Sequence, residues 1–122
     1  MNKRRTGAEY EKRAAEYLKG QGAEIVASNF RCRSGEVDLI FKDDAYLVFA
    51  EVKYRTSCRY GDPAEAVDLR KQRTIARVSS FYLLRYGLPQ DTPVRFDVLA
   101  LNAADDELLR IRWIKDAFRI NL

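Results

Sequence analysis

The chain has 122 residues, 47% of them hydrophobic, and this length suits one domain with one ordinary core. Lysine and arginine outnumber aspartate and glutamate by 22 to 18, so the net charge of +4 favours an anionic partner without identifying one. The sequence has no histidine, which excludes Ser-His-Asp and Cys-His nucleophilic catalysis and leaves carboxylates and lysine, with a hard metal ion, for any chemistry.

The amino terminus is basic, as in an export signal, but Thr6 to Glu11 stands where the apolar core of such a signal would lie. The longest apolar run covers residues 45–50, far short of the roughly 20 residues that span a bilayer. We therefore expect a soluble, cytoplasmic protein that does not bind membranes.

The first half of the chain predicts one helix and a β-hairpin. A capping box at Thr6 to Glu9 opens the helix, and Gly20 and Gly22 end it. The two strands of the hairpin are rich in β-forming residues and meet at Asp44 and Ala45. In chain order we predict a helix at residues 7–19, an extended segment from Ile25, and two paired strands at residues 37–41 and 46–52.

The second half predicts a long amphipathic helix and two further strands. Asp62 to Glu65, with proline after the cap, predicts a short helical turn, and Asp68 is a second cap. Apolar residues then recur at helical spacing until Gly87. We predict the helix at residues 69–86 and two strands at residues 94–101 and 108–114, joined by a turn at residues 102–107. This order, αβββαββ, predicts an α/β sandwich with a central mixed sheet in a single domain over residues 1–122.

The hairpin brings charged residues together on an otherwise apolar sheet. With Asp44 and Ala45 at the tip, Asp38 faces Glu51 and Glu36 faces Lys53, all on one side. Ile40 and Phe49 share that side, and the other side is filled by Val37, Leu39, Phe41, Val48, Ala50 and Val52.

Charges on such a sheet need a reason. Two carboxylates about 5 Å apart repel by roughly 3 kcal/mol at an effective dielectric near 20, so a cation is expected between Asp38 and Glu51. An all-oxygen site suits Mg²⁺ or Mn²⁺. The alternative is a structural ion pair of these acids with Lys53, and Glu36 is either a further ligand or a salt-bridge partner at the rim.

The two helices add residues to this predicted site. Glu11 shares its helical stripe with Ala14 and Leu18, so it faces the sheet as a further ligand, unless a small rotation exposes it. Lys71 and Gln72, at the start of the long helix, can reach the same edge of the sheet. Cys32 and Cys58 lack the spacing of a zinc site and are expected to be free thiols.

Basic residues surround the predicted site. Those in the flanking loops, with Lys71, suit the binding of phosphates, and we expect nucleic-acid contacts at Arg31, Arg33, Arg55 and Arg59. An acidic metal pocket within a basic surface is what a phosphodiester substrate requires, because the metal neutralises the scissile phosphate while arginines hold the flanking backbone.

Asp38, followed after twelve residues by Glu51-Val52-Lys53, resembles the PD-(D/E)xK nuclease signature. The chain also resembles the YraN-type bacterial family, which is similar to archaeal Holliday-junction resolvases, through Gly7-x-x-Tyr10-Glu11-x-x-Ala14, Asn29-Phe30-Arg31, Gly35 to Ile40, Val48 to Arg55, Lys71-Gln72 and Arg95 to Val98. The resemblance implies a restriction-endonuclease-like fold, with Glu11, Asp38, Glu51 and Lys53 in catalytic positions and Gln72 as an accessory residue. Val37 stands where the signature has proline, and we expect that change to be harmless because the position points away from the site.

We therefore expect an endonuclease that uses Mg²⁺ or Mn²⁺ and cleaves branched or single-stranded DNA, with RNA left open as a substrate. Two alternatives remain, namely a nucleic-acid-binding module with a vestigial nuclease site and a purely structural protein. Symmetric cutting of a four-way junction requires a homodimer. Apolar residues of the last hairpin either pair two chains or belong to the core, namely Leu99, Leu101, Leu109, Ile111 and Trp113.

Overall fold

A computed structural model describes residues 6–55, 67–105 and 108–120. The predicted order αβββαββ is confirmed, and the elements are α1 (Gly7–Gly20), β1 (Glu24–Cys32), β2 (Gly35–Asp43), β3 (Tyr46–Arg55), α2 (Leu69–Arg85), β4 (Val94–Asp105) and β5 (Leu108–Ile114). The helical turn predicted at residues 62–65 lies outside the described residues.

One mixed sheet forms the centre of the fold. Its five strands lie in chain order from β1 to β5, and all neighbours are antiparallel except β3 and β4, which are parallel. Parallel strands require a crossover connection, and α2 lies within the segment that joins β3 to β4. The fold is therefore α/β, as predicted, and consistent with a restriction-endonuclease-like architecture.

Both helices begin at caps that the sequence predicts. The Thr6 side chain accepts a hydrogen bond from the Glu9 amide at 3.2 Å, and the Asp68 side chain accepts one from the Lys71 amide at 2.8 Å. Each cap satisfies a helix N–H group that has no partner within its helix. The caps therefore fix where each helix begins, and with it the positions of Glu11 in α1 and Lys71 in α2.

Each helix covers one face of the sheet. The core on the α1 side contains Tyr10, Ala14, Leu18, Leu39, Phe41, Val48, Ala50, Val52, Leu99 and Leu101. The core on the α2 side contains Val37, Ile40, Leu47, Phe49, Ile75, Val78, Tyr82, Leu83 and Val98. Leu99 and Leu101 are thus core residues, while Leu109, Ile111 and Trp113 are partly buried against the same core. The sheet is apolar on both faces, as the sequence predicts. A charged side chain on either face therefore requires a compensating partner.

The second pair of strands is longer than expected. β4 continues through Asn102, which pairs with Arg110, to Asp105, which pairs with Leu108. The turn predicted at 102–107 therefore begins too early, because pairing with β5 overrides the local turn preference of Asn102.

None of the helices in the described ranges is long and apolar enough to cross a membrane.

Candidate active site

The site lies where the β2–β3 ladder opens. The hairpin tip and register are as predicted from Asp43 opposite Tyr46 to Leu39 opposite Ala50, where the ladder ends. At the next position, Asp38 Oδ2 accepts a hydrogen bond from the Val52 amide at 2.8 Å. The Asp38 carboxylate therefore bridges the two strands at the point where their backbones stop pairing.

A local change of face accompanies this opening. Val37 packs in the α2-side core with Ile40, so the expectation that it shares the face of Leu39 is wrong. The partner strand changes in the same way, because Ala27 and Phe30 both pack on the α2 side, and Asn29 between them has a φ of 52°. Asparagine adopts this left-handed conformation more readily than most residues. The alternation of side chains between the two faces is therefore broken at Asn29 in β1 and at Asp38 in β2. Asp38 lies at this break, unlike the residues around it.

Glu51 is the buried carboxylate of the site. Only 7% of the residue is exposed, and its Oε2 atom has no hydrogen-bond partner within residues 6–55, 67–105 and 108–120. Lys71 is the cation that approaches this atom, but its Nζ lies 3.9 Å from Oε2, beyond hydrogen-bond range. Burial and then the negative charge of Asp38 raise the pKa of Glu51 to about 7, while Lys71 and Lys53 act in the opposite direction.

Glu11 reaches the same cluster from α1. Its neighbour Tyr10 is buried and stacks on Tyr54 of β3 with ring centroids 4.1 Å apart, which holds α1 against that strand. Burial raises the pKa of Glu11, a hydrogen bond with Asn29 lowers it, and the Asp38 carboxyl raises it further. The half-buried Glu11 thus interacts with Asp38, which favours the prediction that it faces the sheet.

Near the cluster, Glu36 has a partner other than the one expected, and Gln72 binds to the backbone. Glu36 binds Arg31 Nε at 2.8 Å, so the expected pairing of Glu36 with Lys53 is wrong. The reason is that β2 pairs at this level with β1, which places Arg31 opposite Glu36, and no longer with β3. Gln72 Nε2 donates a hydrogen bond to the Val67 carbonyl at 2.9 Å. Gln72 therefore ties the start of α2 to the backbone that precedes the helix.

The structure brings together Glu11, Asp38, Glu51, Lys53 and Lys71, through the hydrogen bonds and charge effects described above. The arginines predicted to bind phosphates differ in their surroundings. Arg31 forms an ion pair with Glu36, Arg33 is exposed and Arg55 is half-buried. Arg59 lies outside the described residues. Asn29, which forms a hydrogen bond with Glu11, is a residue near the candidate site to which the sequence assigned no role, although it belongs to the motif Asn29-Phe30-Arg31.

A glycine fixes the turn between β1 and β2 against α2. Gly35 has a φ of 144°, and a Cβ at this position would collide with the methyl group of Thr74. Only glycine combines this conformation with such a close approach. The turn that carries Arg33 is therefore pressed against the first half of α2.

The donor chemistry of the cluster fits a hard divalent cation. Three carboxylates offer only oxygen ligands, which suit Mg²⁺ or Mn²⁺, and Glu51 Oε2 is a buried oxygen that lacks a hydrogen-bond partner among the described residues. Within residues 6–55, 67–105 and 108–120, however, no three acidic or cysteine side chains already converge closely enough to hold a metal ion. For these carboxylates to hold one ion together, their side chains would have to turn toward it.

Comparisons with known proteins identify one family. The model of "Uncharacterised protein family UPF0102" matches residues 10–101. A UPF0102 protein of Lachnoclostridium phytofermentans is 47% identical over 118 residues, which is 97% of this chain and 96% of the relative. A UPF0102 protein of Symbiobacterium thermophilum is 50% identical over 115 residues, or 94% of this chain and 97% of the relative. A third, from Alcanivorax borkumensis, is 42% identical over 117 residues, with 96% and 94% covered.

Proposed function

Because this chain belongs to the UPF0102 family, whose description names no activity, we propose from the site itself that the protein is a metal-dependent endonuclease acting on DNA. The substrate would be branched or otherwise structured DNA, and the cofactor Mg²⁺ or Mn²⁺. The observation that carries the proposal is the buried Glu51 Oε2 atom, which has no hydrogen-bond partner in the described part of the chain. A buried polar atom left unpaired costs about 1 to 3 kcal/mol, and more when it is charged, so folding alone gives no reason to keep it.

Each residue of the cluster has a distinct part in this proposal. Asp38, Glu51 and Glu11 would hold the ion, and the hydrogen bond from the Val52 amide orients Asp38 for that task. Lys53 and Lys71, whose charges act on Glu51, would neutralise the negative charge that grows on the scissile phosphate. When bound, the ion supplies Lewis-acid polarisation of the phosphate and lowers the pKa of water. Gln72 would support the site through its bond to the Val67 carbonyl.

The charge of the protein supports a nucleic-acid substrate. An acidic cluster within a chain of net charge +4 leaves the surrounding surface basic, and such a surface attracts a phosphate backbone. Cutting both strands of a junction symmetrically would additionally require two copies of the chain related by a two-fold axis.

A second candidate function is nucleic-acid binding without catalysis. It is favoured by the finding that, in the part of the chain the structure describes, no three potential ligand side chains already converge on one point. In that case the cluster would be a vestigial nuclease site, and binding would occur without turnover.

A cleavage assay separates the two functions. Purified protein is incubated with labelled four-way junction, flap and single-stranded DNA in Mg²⁺ or Mn²⁺. We expect cleavage by the wild type and a loss of about a hundredfold or more in Asp38→Asn, which keeps the shape of the side chain but removes its charge. Glu16→Gln, an exposed change on α1, serves as the matched control and should retain full activity. Equal cleavage by Asp38→Asn and the control would refute the assignment.

Metal binding can be tested without activity. Mn²⁺ at 100 times its Kd should stabilise the native protein by about 2.7 kcal/mol, seen as a rise in melting temperature. The rise should vanish in Glu51→Gln and persist in Glu16→Gln. A Mn²⁺ response that is the same in all three proteins would place the ion elsewhere, and a response without cleavage would favour the second candidate function.

A further inference from the structure

The outward face of α2 carries a row of arginines, defined by Arg70, Arg73 and Arg77. All three residues are exposed, whereas Ile75 and Val78 between and beyond them are buried in the α2-side core. Their spacing of three and four residues places the three side chains on one face of the helix, within an arc of about 60° at 3.6 residues per turn. The arginine row therefore faces away from the sheet along the first half of α2.

Ordinary surface pairing does not account for this row. α2 contains Arg70, Lys71, Arg73, Arg77 and Arg85 but no acidic residue, so the helix has no internal ion pairs. α1 is different, because its acidic and basic residues are mixed. Like charges four residues apart destabilise a helix by about 0.2 to 0.5 kcal/mol. The row thus has a small energetic cost that α1 avoids.

Among the residues that the structure describes, the three arginines also lack partners from other elements. In the described ranges, ion pairs are formed by Arg31, Arg95 and Arg119, whereas Arg70, Arg73 and Arg77 form none. An arginine that is already paired must give up its partner to bind an anion. The arginine row can bind one directly.

The row begins at the proposed active site. Lys71, the residue after Arg70, reaches Glu51, and Thr74, the residue after Arg73, contacts the β1–β2 turn at Gly35. The outward stripe continues beyond the row with exposed Phe81 and Leu84, which carry no charge. The charged part of the stripe is therefore limited to the half of α2 nearest the site.

We propose that the arginine row binds the sugar-phosphate backbone of the nucleic acid that flanks the scissile bond. The inference rests on the proposed function and extends it to a binding surface. From Arg70 to Arg77 the helix rises about 10 Å, which matches about three nucleotides at 3.4 Å per step of one strand. The guanidinium fork suits phosphate oxygens, and the row makes no use of base identity.

The test compares two triple variants with equal loss of charge. One carries Arg70→Gln, Arg73→Gln and Arg77→Gln, and the other, on the opposite side of the sheet, carries the exposed changes Lys12→Gln, Arg13→Gln and Lys19→Gln. Binding of labelled four-way junction, duplex and single-stranded DNA, and of RNA of the same sequence, is measured against salt concentration in EDTA. Because EDTA prevents cleavage, the assay is independent of the nuclease activity.

For the arginine-row variant we expect affinity to fall by about tenfold or more at low salt, with the slope of log K against log salt reduced by about one per arginine. The α1 variant should keep most of its affinity, and both should melt near the wild-type temperature. Equal losses in the two variants, no loss in the arginine-row variant, or no binding by the wild type would overturn the inference. Selective loss of RNA binding would support the surface with RNA as its ligand. If the row is required for binding but Asp38→Asn leaves cleavage unchanged or the wild type never cleaves, the nuclease proposal fails and the binding surface stands.

Discussion

The buried carboxylates of Glu51 and Asp97 lie on the neighbouring parallel strands β3 and β4, one position apart in the register, but they differ in their hydrogen bonds. Glu51 pairs with Val98, and Asp97 pairs with Ala50, so the two acids point to opposite faces of the sheet. Asp97 is fully buried and accepts hydrogen bonds from Arg95, Trp113 and the Asp116 amide at 2.8 to 2.9 Å. Glu51 is almost as buried, yet no residue in the described ranges donates a hydrogen bond to its Oε2.

The difference separates a carboxylate whose hydrogen bonds the protein satisfies from one that the protein leaves unsatisfied. Asp97 joins β4, β5 and the residues after β5, and Arg95 extends this network to Asp43 at 2.8 Å. Both oxygens of Asp97 accept hydrogen bonds from within the protein, so nothing is left for a ligand. Glu51 has the burial without the donors, which is the arrangement expected where a cation completes the site.

The largest effect that this comparison predicts is the loss of stability in Asp97→Asn. The amide cannot form the ion pair with Arg95, which would leave a partly buried guanidinium without its main partner. Breaking a buried pair costs about 3 to 5 kcal/mol, which urea unfolding would measure. Asp91→Asn, at an exposed position, should change the free energy of unfolding by less than about 0.5 kcal/mol. A loss for Asp97→Asn as small as that of the control would show that Asp97 is not a structural anchor.

For Glu51→Gln we expect the opposite effect on stability from Asp97→Asn, namely a gain. The pKa of Glu51 is about 7 in the folded protein and near the ordinary 4.5 when unfolded, so the folded state favours the protonated form. This contribution to stability is fully present below pH 4.5 and is lost as the pH rises through 7. At about 1.4 kcal/mol per pKa unit, the wild type loses about 3 kcal/mol by about pH 8, and the neutral glutamine does not.

Unfolding of wild type and Glu51→Gln at several pH values in EDTA would check this prediction. The two proteins should be similar near about pH 4, and the variant should be more stable by up to about 3 kcal/mol at about pH 8. Glu16→Gln is the control, because that residue is exposed on α1 and should give no such gain. A variant that is less stable than the wild type in the alkaline sample would mean that the Glu51 carboxylate is well satisfied as it stands.

The fold could be predicted where local patterns decide it. The apolar periodicity of α2, the caps at Thr6 and Asp68 and the hairpin around Asp44 all depend on residues close in sequence, and all are confirmed. The extension of β4 past Asn102 could not, because it depends on pairing with β5. The reversal at Val37 depends likewise on Asn29 of the neighbouring strand.

The site could be predicted in part for the same reason. The hairpin register brought Asp38 and Glu51 together, since both lie on adjacent strands. The register was extended beyond the end of the ladder at Leu39, as far as Glu36 and Lys53, because the sequence does not show where the pairing of β2 with β3 stops. The role of Asp97 could not be predicted either, since its partners include Trp113 and Asp116, far along the chain.

The smallest effect concerns Lys71, which reaches Glu51 but does not satisfy it. Lys71 lowers the pKa of Glu51 by its charge, from a distance of 3.9 Å and with about a third of its side chain exposed. Removing it in Lys71→Met should therefore destabilise the protein at about pH 8 by about 1 kcal/mol, a value reduced by solvent screening. At about pH 5, where Glu51 is protonated, the loss should disappear, and unfolding at the two pH values would measure it.

A double variant isolates the interaction of Lys71 with Glu51 from other effects of the substitution. In the Glu51→Gln background there is no charge for Lys71 to stabilise, so Lys71→Met should add no pH-dependent loss. Arg73→Met, an exposed change two residues along α2, provides the control for removing a positive charge from this helix. If Lys71→Met lowers stability equally in the wild type and in the Glu51→Gln background, the lysine acts on the helix itself. If instead the loss appears only when Glu51 is present and only above its pKa of about 7, the carboxylate is a charge that the protein alone holds incompletely, and Asp97 is its satisfied counterpart.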